Sequence, residues 1–178
     1  MGGDPDGQGR LRERLRGLGR FIKGLRLIEA IVATAAYAAV AGILMADVIG
    51  RELFATSFLG AQQLAVYGAI IAGFLGLTLA TSDNAHLRPG FLDFVTKSRE
   101  RLITRAGDIV SGVFYIAAAY VAWTFVEVSM EANDRAPVLY FVVWPLQLII
   151  PYALASAGVK HLIFGIRPGL KPDPAEKV

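Results

Sequence analysis

Four uncharged apolar stretches dominate the pattern of hydrophobic and polar positions along the chain. Residues 30–46, 53–82, 109–126 and 136–159 contain no Asp, Glu, Lys or Arg, and together they make up half of the 178 residues. A helix of about 20 mostly apolar residues crosses a bilayer core of about 30 Å. The pattern therefore predicts an all-α integral membrane protein with four transmembrane helices, and it excludes a soluble enzyme and a disordered chain.

The composition narrows the class further. The chain is 54% apolar, has a mean hydropathy of +0.50 and contains no cysteine, which excludes a disulfide scaffold, a cysteine nucleophile and an iron–sulfur centre. The formal net charge of +3 does not indicate a nucleic-acid partner, because in a membrane chain the useful quantity is where the basic residues lie.

The basic residues alternate between loops in the way that sets membrane orientation. The first and third loops contain one basic residue each, Arg51 and Arg135, whereas the other sixteen of the eighteen Lys and Arg precede the first span, lie in the second loop or follow the fourth span. Short loops rich in Lys and Arg stay in the cytoplasm, so both termini and the loop over 83–106 are predicted to be cytoplasmic. Trp123 and Trp144 lie toward the opposite interface, the depth that indole rings prefer.

Two amphipathic segments are predicted at the cytoplasmic interface. In residues 10–26 the apolar positions recur at helical spacing among seven basic residues: Leu11, Leu15, Leu18, Ile22 and Leu25. A second interfacial helix is predicted over 91–104. The domain organisation is then a cytoplasmic tail with a basic amphipathic helix over 1–26, a four-helix transmembrane domain over 27–163 and a cytoplasmic tail over 164–178.

The first span has an alternative interpretation as a cleaved signal peptide. It follows basic residues and contains the small-x-small sequence Ala36-Tyr37-Ala38. The region before the apolar run is some 26 residues long, however, which is much longer than the usual basic start of a signal peptide. We therefore predict a retained span.

Small residues and prolines predict how the spans pack. Helices in a bilayer associate through close contact at small residues, and two spans carry such residues four apart: Ala30, Thr34, Ala38, Gly42 and Ala46 in the first, Gly68, Ala72, Gly76 and Ala80 in the second. Pro145 and Pro151 predict a kink at the start of the fourth span, because each lacks a backbone donor. Gln147, between them, is expected to bond a freed carbonyl.

Candidate chemistry is sparse. We expect no ionisable residue in the middle of the membrane; Glu29 lies one turn from the start of the first span and is expected to pair with Arg26 or to extend to the interface. His86 and His161 lie at the cytoplasmic edge and are interpreted as loop and interface histidines, with ligation of a poorly buried haem as the alternative. No catalytic residue, metal site or cofactor is predicted.

Several short motifs resemble one family of membrane proteins. They are Asp47-Val48-Ile49-Gly50-Arg51-Glu52-Leu53-Phe54, Gly60, Gln62-Gln63-Leu64-Ala65-Val66-Tyr67, Phe74-Leu75-Gly76, His86-Leu87-Arg88 and Ala136-Pro137-Val138-Leu139, with Trp144 and Pro151. Together with the topology they resemble the small (DctQ-type) membrane subunit of tripartite ATP-independent periplasmic (TRAP) transporters over roughly residues 27–163. Gln62 and Gln63 occupy positions where that family commonly has Glu.

The resemblance implies a function and partners. The chain would be the small permease subunit, a scaffold, of a sodium-driven, binding-protein-dependent transporter that takes up an organic acid across the bacterial inner membrane. Its partners would be a large multi-span membrane subunit and a periplasmic substrate-binding protein, with membrane lipids around it. It would not be an enzyme. A haem-binding four-helix subunit of a redox complex and a stand-alone oligomeric exporter are the alternatives.

The candidate site residues are therefore interaction residues. The candidates for subunit contact lie in the first outer loop and the second span: Arg51, Gln62, Gln63, Tyr67, Gly68, Ala72 and Gly76. Arg51 is expected to pair with Glu52 or Asp47 and fix the turn. His86 and Arg88 are candidates for fixing the cytoplasmic loop or holding a lipid phosphate. Each group also has a simpler interpretation. Arg51 would be a solvated loop charge, and His86 and Arg88 would belong to a basic loop that sets the topology. An interfacial cap of the second span is the simpler interpretation for Gln62, Gln63 and Tyr67.

Overall fold

Four long apolar spans make up most of the chain that the structure describes, as the sequence predicts. The computed structural model describes residues 5–82 and 100–168. Its helices are α1 (Pro5–Phe54), α2 (Ala61–Ser82), α3 (Glu100–Glu131), α4 (Trp144–Gln147) and α5 (Ile149–Ile166). The segments long and apolar enough to cross a membrane are Gly19–Phe54, Ala61–Ser82, Thr104–Glu131 and Trp144–Ile166, the last formed by α4 and α5 together. An all-α membrane protein with four spans is confirmed.

The helices pack in a row rather than in chain order. Helix α1 packs on α2, α2 packs on α5, and α5 packs on α3, so the fourth span lies between the second and the third. The inner helices α2 and α5 are the more buried, whereas α1 and α3 expose many large apolar side chains along their lengths, among them Ile31, Met45, Val113 and Phe114. Lipid tails or another apolar protein surface must cover these faces, since water would not.

The basic segment before the first span is helical but is not a separate helix. Helix α1 runs without interruption through residue 26, where we predicted the cytoplasmic tail to end, and at 1.5 Å per residue its 50 residues span about 75 Å. The chain between the two parts contains no proline, and its Ala, Leu and Arg residues favour helix. The second predicted interfacial helix, 91–104, lies mostly outside the described residues; residues 100–104 form the start of α3.

The small residues of α2 have different environments. A Cβ at Gly68 would lie 2.5 Å from Val40 Cγ2 of α1, and Ala72 is completely buried, so both serve contact within the protein. Gly76 faces open space. The predicted close contact along α2 is therefore present at Gly68 and Ala72, and only Gly76 of the three leaves room for another helix.

A second close helix contact, between α3 and α5, was not singled out by the sequence analysis. A Cβ at Gly112 would lie 2.7 Å from Leu162 Cδ2 and 3.0 Å from the Leu162 backbone N. A Cβ at Gly165 would lie 2.7 Å from Ile109 Cγ1 and 3.3 Å from the Arg105 carbonyl oxygen. Glycine is required at these positions because the two backbones approach each other closely.

Replacement of Gly112 by Ala is expected to destabilise the protein by about 1–3 kcal/mol, because the methyl group would overpack this contact. Gly107 on the same helix has no atom near the position of a Cβ, so Gly107→Ala is the matched control and should be neutral or slightly stabilising. Unfolding of the purified variants in mixed micelles measures both. Equal effects of the two substitutions would contradict the assigned contact.

The predicted kink in the fourth span is a break between α4 and α5 at Leu148. Pro145 and Pro151 flank it, and Leu148 still donates to the Trp144 carbonyl at 3.2 Å. The bond that we predicted from Gln147 to a freed carbonyl is not formed, and Gln147 Oε1 is buried without a partner.

Candidate functional site

A buried ion pair joins the first and fourth spans. Lys160 Nζ of α5 lies 2.6 Å from Glu29 Oε2 of α1, and the two side chains are only 2% and 1% exposed. Glu29 Oε1 also accepts hydrogen bonds from Ser156 Oγ at 2.8 Å and Tyr152 Oη at 3.3 Å. Lys160 donates a further bond to the Thr78 carbonyl of α2 at 3.3 Å. We call these five residues the inner clamp.

Helix geometry explains why α5 supplies most of the clamp. Tyr152, Ser156 and Lys160 are four residues apart, so they lie above one another on one face of the helix. That face contacts Glu29, and Lys160 also contacts the Thr78 carbonyl near the end of α2. Six residues separate Lys160 from the end of α5, so the clamp lies about 9 Å inside the end at which α2 and α5 finish. We call this end the basic end.

The surroundings of the pair favour a structural role. An isolated charge in an apolar interior is very costly, but a paired and fully hydrogen-bonded one is tolerated. Both Glu29 oxygens accept bonds and the Lys160 charge offsets the carboxylate. The pair therefore ties three helices together without leaving an uncompensated charge for a transported ion.

The clamp corrects the sequence-based expectation. Glu29 does not extend to the interface, and its ion-pair partner is Lys160 rather than Arg26. Lys160, which we counted among the basic residues that follow the fourth span, instead lies buried within α5, about 9 Å inside the end of that helix. The spacing of Tyr152, Ser156 and Lys160 was the signal that would have indicated a polar face.

A second buried polar contact joins the third and fourth spans beside the clamp. His161 Nδ1 of α5 lies 3.4 Å from Asp108 Oδ1 of α3, and both side chains are about 10% exposed. The His161 ring stacks on Tyr115, with centroids 5.5 Å apart and planes 11° from parallel. Two adjacent residues therefore fix α5 to its neighbours. Lys160 fixes it to α1 and α2, and His161 fixes it to α3.

His161 is therefore buried between two helices near the basic end. Its ring lies between α3 and α5, where Asp108 and Tyr115 fix its orientation. His86, the other histidine of the haem alternative, and Arg88 lie outside the described residues. Among the described residues, no three His, Asp or Glu side chains gather as a metal site.

The loops over 55–60 and 132–143 form the opposite end of the helices, and Asp47 holds the first of these loops. We call this end the loop end. Asp47 Oδ1 accepts bonds from the Phe58 backbone N–H at 3.0 Å and from Ser57 Oγ at 3.2 Å, and Oδ2 lies 2.8 Å from Arg51 Nη2. The carboxylate is 2% exposed. The prediction that Arg51 pairs with Asp47 is confirmed, and the alternative partner Glu52 is not used.

The other candidates at the loop end have mixed environments. Tyr67 packs edge-on against Phe141 of the third loop, with ring centroids 5.7 Å apart. Gln62 is exposed, whereas Gln63 Oε1 is buried without a hydrogen-bond partner. Residues 57–63, with Asp47 and Val138, line a cleft of about 360 Å³. The loop end therefore contains a first loop held by Asp47, an open cleft, and a buried Gln63 Oε1 without a hydrogen-bond partner.

Buried charged side chains contribute to the packing at both ends of the described helices. Polar contacts fix the helices to one another at the basic end and fix the loops at the loop end. Among the described residues, the buried charged side chains Glu29, Asp47, Asp108 and Lys160 all contact a partner of opposite charge or a histidine. This arrangement resists relative movement of the helices.

Comparison with known proteins identifies the family. The family model described as tripartite ATP-independent periplasmic transporters, DctQ component, matches residues 40–167. No curated protein and no solved structure shows a significant match to the chain.

Proposed function

The chain belongs to the DctQ family, the small inner-membrane component of TRAP transporters, and on this premise we propose that it braces the large membrane subunit while that subunit moves substrate. As a transporter component it is not an enzyme. Membership of this family also argues against the two alternatives, a haem-binding redox subunit and a stand-alone exporter. Its partners as a family member are the large membrane subunit and the substrate-binding protein. We further propose that the transporter is driven by sodium and takes up an organic acid delivered by the binding protein.

The inner clamp is the observation that supports a bracing role most strongly. A brace must keep its shape while its partner changes conformation, and in lipid the apolar faces of helices alone give weak resistance to sliding. Glu29 and Lys160 fix α1, α2 and α5, and Asp108 with His161 fixes α3 to the same helix. One polar layer therefore crosses all four spans.

The exposed apolar faces support the proposal that the chain contacts the large membrane subunit. The outer helices α1 and α3 present large apolar side chains such as Ile31 and Phe114. A row of helices has two broad sides, so one side has room for a large subunit while the other contacts lipid. Gly76, whose surroundings are open, allows close approach of a foreign helix on α2.

Reconstitution with and without the chain tests the proposal. Proteoliposomes would contain this chain alone, the large subunit alone or both, each with the binding protein, an inward sodium gradient and radiolabelled organic acids. We expect uptake only when both membrane subunits are present. Uptake by this chain alone would contradict bracing, and full uptake by the large subunit alone would show that the brace is dispensable. Uptake without the gradient would refute sodium coupling only.

A further inference from the structure

The first loop, residues 55–60, turns back along α1 after that helix ends. The Thr56 N–H donates to the Gly50 carbonyl at 3.1 Å, and the Phe58 N–H donates to Asp47 Oδ1 at 3.0 Å. Asp47 lies seven residues before the end of α1, which is about 10 Å along the helix. The Phe58 ring lies against the side of α1, since a Cβ at Gly50 would be 3.2 Å from Phe58 Cε2. The loop therefore runs beside the last two turns of α1.

The charged residues of α1 indicate how deep this loop lies in a bilayer. Helix α1 contains no charged residue between Glu29 and Asp47, which are 18 residues apart and therefore separated by about 27 Å along the helix. That length is close to the thickness of the hydrocarbon core, about 30 Å. The core therefore fits between these two carboxylates, with Asp47 at its edge on the side of the loop end. Phe58, bonded to Asp47, then lies at the boundary between acyl chains and headgroups.

The side chains of the first loop suit that boundary. Phe58 is 56% exposed, and Leu59, the next residue, is 83% exposed. The uncharged run over 53–82 is 30 residues long whereas α2 has 22, so the run includes the whole first loop. Large apolar side chains gain free energy on leaving water, and Phe and Leu are typical of segments that lie in the membrane interface. Contact with lipid would therefore stabilise both exposed side chains.

The charges around the first loop lie in the order that a lipid surface requires. Arg51 lies four residues beyond Asp47, about 6 Å closer to the end of α1, and its side chain is 48% exposed. A basic side chain at this height meets the phosphates of the headgroups, whereas Phe58 lies deeper, beside the acyl chains. The third loop differs, because its residues Asp134 and Arg135 are both charged and exposed. The first loop thus has the character of a lipid contact and the third that of a loop in water.

We propose that the first loop is a membrane anchor whose partner is the lipid: Phe58 and Leu59 reach the acyl chains at the edge of the hydrocarbon core, and Arg51 faces the phosphates. A backbone donor so close to hydrocarbon needs an acceptor from the protein, and Asp47 supplies one to the Phe58 N–H. The anchor sets the depth of α1 and of the start of α2 in the bilayer. It needs no partner subunit and is the same for either orientation of the chain.

The depth of a nitroxide spin label on the first loop tests the anchor. The chain contains no cysteine, so Leu59→Cys gives one attachment site, at a side chain exposed enough to be replaced without disturbing the fold. Asp134→Cys, at an exposed position of the third loop, is the matched control. Each labelled chain would be placed in vesicles of phosphatidylcholine and phosphatidylglycerol, alone and with the large subunit. Relaxation of the label is measured with oxygen, which concentrates in the bilayer, and with a water-soluble nickel chelate. We expect oxygen to be the stronger relaxant at Leu59→Cys and the chelate at Asp134→Cys, in both samples.

Each other outcome overturns the anchor in a distinct way. Stronger relaxation of the Leu59→Cys label by the chelate would place the first loop in water, and the same preference at both positions would show that the two loops do not differ. Protection from both relaxants only in the presence of the large subunit would show that a protein, not lipid, covers the loop. Protection from both relaxants in the chain alone would show that copies of the chain associate through it.

Discussion

Replacement of Lys160 by Met is expected to lower the free energy of unfolding by about 3–5 kcal/mol, because it leaves the Glu29 carboxylate buried without its counter-charge. The same substitution frees the Thr78 carbonyl from one of its donors. The effect should appear as a shift of the unfolding transition in mixed detergent micelles containing a denaturing detergent. Recovery of the large subunit with the variant should fall in parallel.

Two further variants separate loss of the pair from loss of a lysine. Glu29→Met combined with Lys160→Met removes both charges and should restore most of the stability, since a buried pair is replaced by apolar groups of similar volume. Lys23→Met on the exposed surface of α1 is the control for removing a lysine and should change stability by less than about 0.5 kcal/mol. A double variant as unstable as the single one would contradict the clamp.

Replacement of Asp47 by Ala is expected to loosen the loop end and to cost about 2–3 kcal/mol, because the Phe58 N–H and the Arg51 guanidinium lose a buried charged acceptor. Amide hydrogen exchange should accelerate in residues 55–60, which the carboxylate holds against α1. Mass spectrometry of the exchanged, digested protein measures both the site and the size of the change.

The neighbouring acidic residue provides the matched control. Glu52 is exposed at the same helix end, so Glu52→Ala should leave exchange in the first loop unchanged and alter stability by less than about 0.5 kcal/mol. Asp47→Asn keeps one acceptor oxygen and should lie between wild type and Asp47→Ala. If Glu52→Ala had the larger effect, the loop would be held by a different contact.

Sequence patterns predicted what depends on local spacing. The four spans follow from uncharged runs, and the Asp47–Arg51 pair follows from two opposite charges four residues apart on one helix. The break at Leu148 follows from Pro145 and Pro151. Each of these features is determined by residues close together in the chain, so no knowledge of the packing was needed.

Features that depend on the order of helices were missed. Glu29 and Lys160 are 131 residues apart, and they meet only because the fourth span lies next to α2 rather than next to α3 alone. The same order creates the contact of Gly112 with Leu162 and the contact of Asp108 with His161. Small residues occur in every span, so the sequence did not distinguish the pairs that meet.

The central claim is that the buried charges hold the helices together and take no part in moving the substrate. Uptake by the complete transporter containing Glu29→Met with Lys160→Met tests it most directly, because this variant removes both charged groups of the clamp. We predict that proteoliposomes with this variant keep the wild-type initial rate of sodium-dependent uptake per assembled complex. A fully assembled complex that no longer transports would contradict the claim and place the pair in the transport mechanism itself.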